Sequence, residues 1–305
     1  MAAYSIRMLA EIKKIPGKTL EIFEKNQGLQ LPQKVYYLGL GASYYAPLAL
    51  RYCGRQIYPE TATEFNHYIY QKEKFPLGIL ISLNSDNRAV LPLRSLFYEY
   101  IAITDNRSNE ITKGDNLLLT IDMGLNDDHY RSSLPYLLLL ITLYQGLGLN
   151  CFPAIEYIRK DFDFYEAKGR LMAEEIQKFF LKDSTNGIYI LGNGPNVATA
   201  KQAAMMLTNV TNRHFVGMSL SHFEQMFKDN LRDRLVIIIN DNGPVKEIAF
   251  RLGEKIKEEE SRCIFVEEID LTWLYTPINL ILPFDFAGYY ISQKHKPNRI
   301  SVSSP

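Results

Sequence analysis

One pattern occurs twice in this chain and narrows the folds open to it more than any other feature. Val35 to Ser43 reads VYYLGLGAS, and Ile188 to Asn196 reads IYILGNGPN. In each, a short β-rich apolar run ends in G-x-G and passes into a helix-like stretch, Tyr44 to Tyr52 in one and Val197 to Leu207 in the other. The spacing predicts a strand, a tight turn and a helix. The parallel continues downstream, where Gly78 to Ser82 (GILIS) and Leu235 to Asn240 (LVIIIN) are followed by the polar turns LNSDN and DNGP. Tyr100 to Asp105 (YIAITD) then pairs with Cys263 to Glu268 (CIFVEE), and Leu117 to Asp122 (LLLTID) with Asn279 to Leu282 (NLIL). Four strands are expected to recur in order.

Runs apolar at every position suit strands covered by helices on both faces, which is the signature of a parallel sheet. The expected fold is therefore α/β, with two doubly wound, flavodoxin-like three-layer α/β/α units built on parallel sheets. The 305 residues are enough for two such units. Arg159 to Leu181 reads as a connecting helix, which puts the boundary near 150 to 185, and an N-terminal helix is expected over Ser5 to Glu24 with a break at Pro16.

With 47% hydrophobic and 22% charged residues, disordered, collagen-like and coiled-coil classes are excluded. The 34 basic residues balance the 34 acidic ones, so no whole-chain positive field draws the protein onto nucleic acid. Cys53, Cys151 and Cys263 form no C-x-x-C pair and read as reduced core residues. Leu134 to Leu143 (LPYLLLLITL) is short of the roughly 20 residues of a membrane span and reads as a buried helix. The charged N-terminus lacks the apolar stretch of a signal peptide. The expectation is a cytoplasmic protein with no nucleic-acid or membrane partner.

In open parallel sheets, ligands bind at the carboxyl ends of the strands, where helix N-termini expose backbone N–H groups. The candidates there are Gly39, Gly41, Ala42 and Ser43 on one turn, and Ser82, Leu83, Asn84, Ser85, Asp86 and Asn87 on the next. Hydroxyls, amides and backbone N–H groups together suit a phosphate held without a lysine. Each motif alone reads more readily as turn and N-cap chemistry. Their convergence at adjacent strand ends favours a ligand. A dinucleotide site is disfavoured because the third glycine of G-x-G-x-x-G is absent: Tyr44 or Tyr45 stands near its place in the first half and Val197 in the second.

These residues resemble the tandem sugar isomerase (SIS) domain proteins, in particular the isomerase half of glucosamine-6-phosphate synthase and its deaminase relatives. Met8 to Pro16 (MLAEIKKIP) is similar to the family's M-L-x-E-I-x-x-Q-P, LGLGASYYA to G-C-G-T-S-Y-H-A, and Glu64-Phe65 to S-E-F. ISLNSDN occupies the place of I-S-Q-S-G-E-T, LGNGPNVATAKQAAMML matches in the second half, and Lys296 to Arg299 resembles the start of the family's C-terminal tail. The resemblance implies residues 1–155 as an N-terminal helix plus first SIS domain, 156–184 as a connecting helix and 185–305 as a second SIS domain. It further implies a homodimer, no cofactor and no metal. The implied ligand is a phosphosugar such as fructose 6-phosphate or glucosamine 6-phosphate, held by Gly41, Ala42, Ser43, Ser82, Leu83, Asn84, Ser85 and Asn87.

The catalytic positions depart from that family. Its L-K-L-K-E puts a lysine and a general-base glutamate where this chain has Met206 and Asn209, and an amide cannot accept a proton from carbon. The family's loop histidine is replaced by Gln225, and the tail lysine by Arg299 or Ile300. The leading reading is a phosphosugar-binding protein with degenerate catalytic positions. The alternative is an active aldose-ketose isomerase or amino-sugar-phosphate deaminase using Glu224, His222 and Arg299. Ser221-His222-Phe223-Glu224 also fits an S-x-x-E capping box, the preferred reading of that segment. A glutamine-hydrolysing domain and a helix-turn-helix segment are not expected.

Weaker constellations are assigned structural roles. Asn126 to His129 reads as a loop with an N-cap and not as a metal site, and His67, His214 and His295 as surface or turn residues. Glu258 to Glu260 reads as a solvated helix end, and the abundant tyrosines and phenylalanines as core and interface residues.

Overall fold

The computed structural model describes residues 2–69, 73–83, 88–105, 108–125, 131–181, 187–228, 231–259 and 261–294. The chain opens with helices α1 (Ala2–Ile12) and α2 (Ile15–Lys25). Pro16 lies in the first turn of α2, where a missing N–H leaves no helical bond unmade. Strand β1 (Tyr36–Gly39) leads through the first G-x-G into α3 (Ala42–Tyr52), followed by β2 (Tyr58–Thr61), the short α4 (Ala62–Glu64), β3 (Phe75–Ser82), β4 (Phe97–Thr104) and β5 (Leu117–Asp122). Helices α5 (Leu134–Gly146), α6 (Phe152–Lys160) and α7 (Phe162–Phe180) come next. The second half runs β6 (Ile188–Gly192), α8 (Asn196–Thr211), β7 (Phe215–Ser219), α9 (Leu220–Met226), β8 (Leu235–Asp241), α10 (Lys246–Glu258), β9 (Arg262–Glu268), α11 (Thr276–Asn279) and α12 (Leu282–Lys294).

All strand pairs are parallel, in a five-stranded sheet ordered β2-β1-β3-β4-β5 and a four-stranded sheet ordered β7-β6-β8-β9. The unbroken apolar runs work as expected. Along β8, Leu235, Ile237 and Ile239 face one core while Val236 and Ile238 face another, and in β3 Ile79 and Ile81 point opposite to Leu80. Both faces of each sheet are buried, so alternation is hidden in the sequence. The inner faces of the two sheets share one continuous core with helices α3, α5, α8 and α12. The architecture is the SIS-type three-layer α/β/α fold.

Three expectations need correction. Asn279 to Leu282 is not a strand: it spans the end of α11 and the start of α12, each with proline in its first turn, and Asn279 to Leu282 are fully buried. A short apolar run does not separate a buried strand from a buried helix by periodicity. The fourth strand of the second sheet is instead β7, the counterpart of β2, and neither was foreseen because each is a short edge strand. The connecting segment is two helices, α6 and α7, parted at Asp161.

Candidate functional site

The two G-x-G turns are built alike. A Cβ on Gly39 would lie 2.5 Å from the Cβ of Ser43, and one on Gly192 would lie 2.1 Å from the carbonyl oxygen of Asn196, so the helix following each turn approaches too closely for a side chain. Gly41 and Gly194 have φ of +54° and +49°. The turns differ in what they face.

In the second half, Asn196 stands where the repeat puts Ser43, and it fills its own strand edge. Its Nδ2 donates to Asp241 Oδ2 at 2.7 Å and to Thr276 Oγ1 at 2.8 Å, while its Oδ1 accepts from Thr199 Oγ1 at 3.1 Å. Asp241 also accepts from the N–H of Gly243 at 2.8 Å. Burial raises the Asp241 carboxyl, and these hydrogen bonds act against the rise.

In the first half the same edge opens into a cavity of about 460 Å³. Gly41, Ala42 and Ser43 line it from the turn, Ser82 and Leu83 from the end of β3, Arg131, Ser132 and Tyr136 from the start of α5, and Gln202, Met205 and Asn209 from α8. The last three recur at helical spacing on one face, so the second half supplies a wall to a site on the first. Ser43 and Ser82 are 5% and 3% exposed, so both are recessed in the cavity wall. Among the described lining residues, Arg131 carries the only formal charge. Gln202 is 4% exposed and its Oε1 accepts no hydrogen bond among the described residues, which leaves an acceptor suited to a ligand hydroxyl. Burial pushes the Tyr136 phenol far up, with Thr199 acting the other way, so it stays an O–H group.

The structure thus brings together Gly41, Ala42, Ser43, Ser82 and Leu83. Asn84, Ser85, Asp86, Asn87, Asn126 to His129, His295, Arg299 and Ile300 lie outside the described residues. Asn209 lines the cavity, whereas Met206 is buried beside it with its sulfur 3.7 Å from Ser133 Oγ. His222 and Glu224 are exposed on α9 and do not line the cavity. Glu224 and Gln225 border a separate 210 Å³ hollow with Lys228 and Lys255. The capping-box reading is also corrected: α9 starts at Leu220, and its N-cap is Ser219, whose Oγ accepts from the N–H of His222 at 3.3 Å.

Sequence reasoning missed Arg131, Ser132, Tyr136, Gln202 and Met205 as cavity residues. The signal for the first pair was a basic and a hydroxyl residue just ahead of the apolar LPYLLLLITL helix. Among the described residues, no group of His, Cys, Asp and Glu is arranged to hold a metal ion, and no helix is long and apolar enough to cross a membrane. The three cysteines are unpaired, and burial pushes the Cys53 thiol up to about 11 and those of Cys151 and Cys263 up to about 12.

Solved structures of this class of α/β fold include several that superpose on nearly the whole chain. Glucosamine-6-phosphate deaminase from Thermotoga maritima is 16% identical, with 94% of each chain covered and a TM-score of 0.73. The C-terminal domain of glucosamine-fructose-6-phosphate aminotransferase from Francisella tularensis is 13% identical, covering 94% of this chain and 95% of that one at a TM-score of 0.72. Tagatose-6-phosphate ketose/aldose isomerase from Escherichia coli is 14% identical, covering 94% and 92% at 0.69. At such identities the likeness establishes the fold alone. No protein-family model matches the chain, and no curated protein sequence matches it significantly.

Proposed function

We propose that the cavity binds a sugar phosphate, of the fructose 6-phosphate or glucosamine 6-phosphate class, and holds it without converting it. The observation that carries this reading is the composition of the wall. Arg131 with the hydroxyls of Ser43, Ser82 and Ser132 suits a phosphate, Gln202 and Tyr136 suit sugar hydroxyls, and an amide, Asn209, stands where the family resemblance calls for a proton-transferring carboxylate. The neighbouring folds named for sugar-phosphate enzymes support the ligand class. In the same reading residues 1–155 and 185–305 are two SIS-type units joined by 156–184, and the protein is a homodimer. A monomer mass by light scattering would remove the dimer.

The test is a proton NMR time course of glucosamine 6-phosphate with the purified protein, with saturation transfer recorded in the same tube. Saturation transfer without chemical change over about a day is expected, since the amide of Asn209 cannot take a proton from carbon. Conversion to fructose 6-phosphate would overturn the non-catalytic reading and make Glu224, His222 and Arg299 the first groups to substitute. No saturation transfer would remove the ligand class.

A further inference from the structure

Three consecutive backbone N–H groups ahead of α5 are held by carboxylates from the first and last helices. Glu11 on α1 accepts through Oε2 from the N–H of Arg131 at 2.7 Å and from that of Ser132 at 3.0 Å. Its other oxygen lies 3.4 Å from Arg7 Nε. Asp285 on α12 accepts through Oδ1 from the N–H of Ser133, the N-cap of α5, at 2.7 Å. Glu11 is 5% exposed and Asp285 is fully buried.

An N–H group at a helix start has no intrahelical acceptor and commonly turns to water or to a bound anion. Here Asp285 occupies the N-cap N–H of α5, and Glu11 occupies the two N–H groups that precede it. The N–H groups of 131–133 are thereby directed at α1 and α12, while Arg131 and Ser132 line the cavity. A second internal bond, from the N–H of Leu134 to Ser132 Oγ at 3.3 Å, fixes the serine rotamer. Two buried acids are costly, because a carboxylate is taken out of water and only hydrogen bonds offset that loss. The cost is visible at Asp285: burial raises its carboxyl to about 7, the Ser133 backbone and side chain oppose the rise, and Glu11 adds to it.

We propose that Glu11 and Asp285 are positioning residues for this cavity, holding the 131–133 segment so that Arg131 and Ser132 meet the ligand. This rests on the reading of the cavity as a sugar-phosphate site. Neither acid lines the cavity, so each acts through its hold on the backbone.

The experiment is calorimetric titration of glucosamine 6-phosphate into the 305-residue chain, with a thermal melt of every variant. Glu11→Ala is expected to weaken binding about tenfold by freeing two N–H groups, and Glu11→Gln, which keeps an acceptor, to stay within about threefold of the wild type. In a background carrying Arg131→Ala and Ser132→Ala, Glu11→Ala is expected to change affinity no further, because the side chains it positions are gone. Asp285→Ala and Asp285→Asn are expected to behave as the corresponding Glu11 pair. An equal loss in both backgrounds would mean general loosening and overturn the inference, as would unchanged affinity in Glu11→Ala. Should Glu11→Ala fail to fold, Glu11→Asp, whose acceptor is drawn back by one methylene, takes its place in the same cycle. A wild-type chain that gives no isotherm removes the sugar-phosphate reading itself, whereas normal wild-type binding with insensitive acids removes only the positioning role.

Discussion

At Gly41 the backbone takes φ of +54° with ψ of −124°, a region open almost only to glycine, and a Cβ there would sit 3.2 Å from the sulfur of Met205. Gly41→Ala is therefore expected to cost about 1–3 kcal/mol in urea unfolding and to shift α8 against the turn. Ser43 and Ser82 make a different test. Alanine at both should leave the unfolding free energy within about 1 kcal/mol of wild type and weaken glucosamine 6-phosphate binding about tenfold or more, as read by titration. Unchanged affinity would take this turn out of the site. These residues were legible in the sequence because glycine and serine report a turn through local geometry. Gln202 and Arg131 were not, because they reach the cavity only when α8 and α5 pack beside a turn at residues 40–43 far away in the chain.

Helices and strands were legible to the degree that their periodicity is local. The central strands β1, β3, β4, β6 and β8 announce themselves as unbroken apolar runs, since both sheet faces are covered. That doubling also makes NLIL ambiguous, and proline in the first turns of α11 and α12 decided it in favour of helix. Helix α9 gives a prediction at this scale. Ser219→Ala removes its cap and should cost about 1 kcal/mol of stability, whereas Ser221→Ala should cost far less. Glu224→Gln, on the exposed side of α9, should leave sugar-phosphate affinity unchanged; a loss would bring that helix into the site.

For the whole molecule, the buried Asp285 ties stability to pH. It keeps its proton in the folded chain up to about 7, against an ordinary value of 3.8, so between those limits the folded state binds more protons than the unfolded one. Stability from this group is fully present below the ordinary value, falls as pH rises, and is lost above the folded one. The wild type should therefore lose more thermal stability than Asp285→Asn between about pH 5 and about pH 8, and parallel melting curves for the two would contradict it. The two halves also differ in what completes them. At the second strand edge, Asn196, Asp241 and Thr276 satisfy one another within the chain, while at the first the corresponding space is open. In amide hydrogen exchange, ligand addition should therefore slow residues 40–43 and 131–133 and leave 192–196 as it was, because one repeat supplies its own hydrogen-bond partners and the other acquires them from solution.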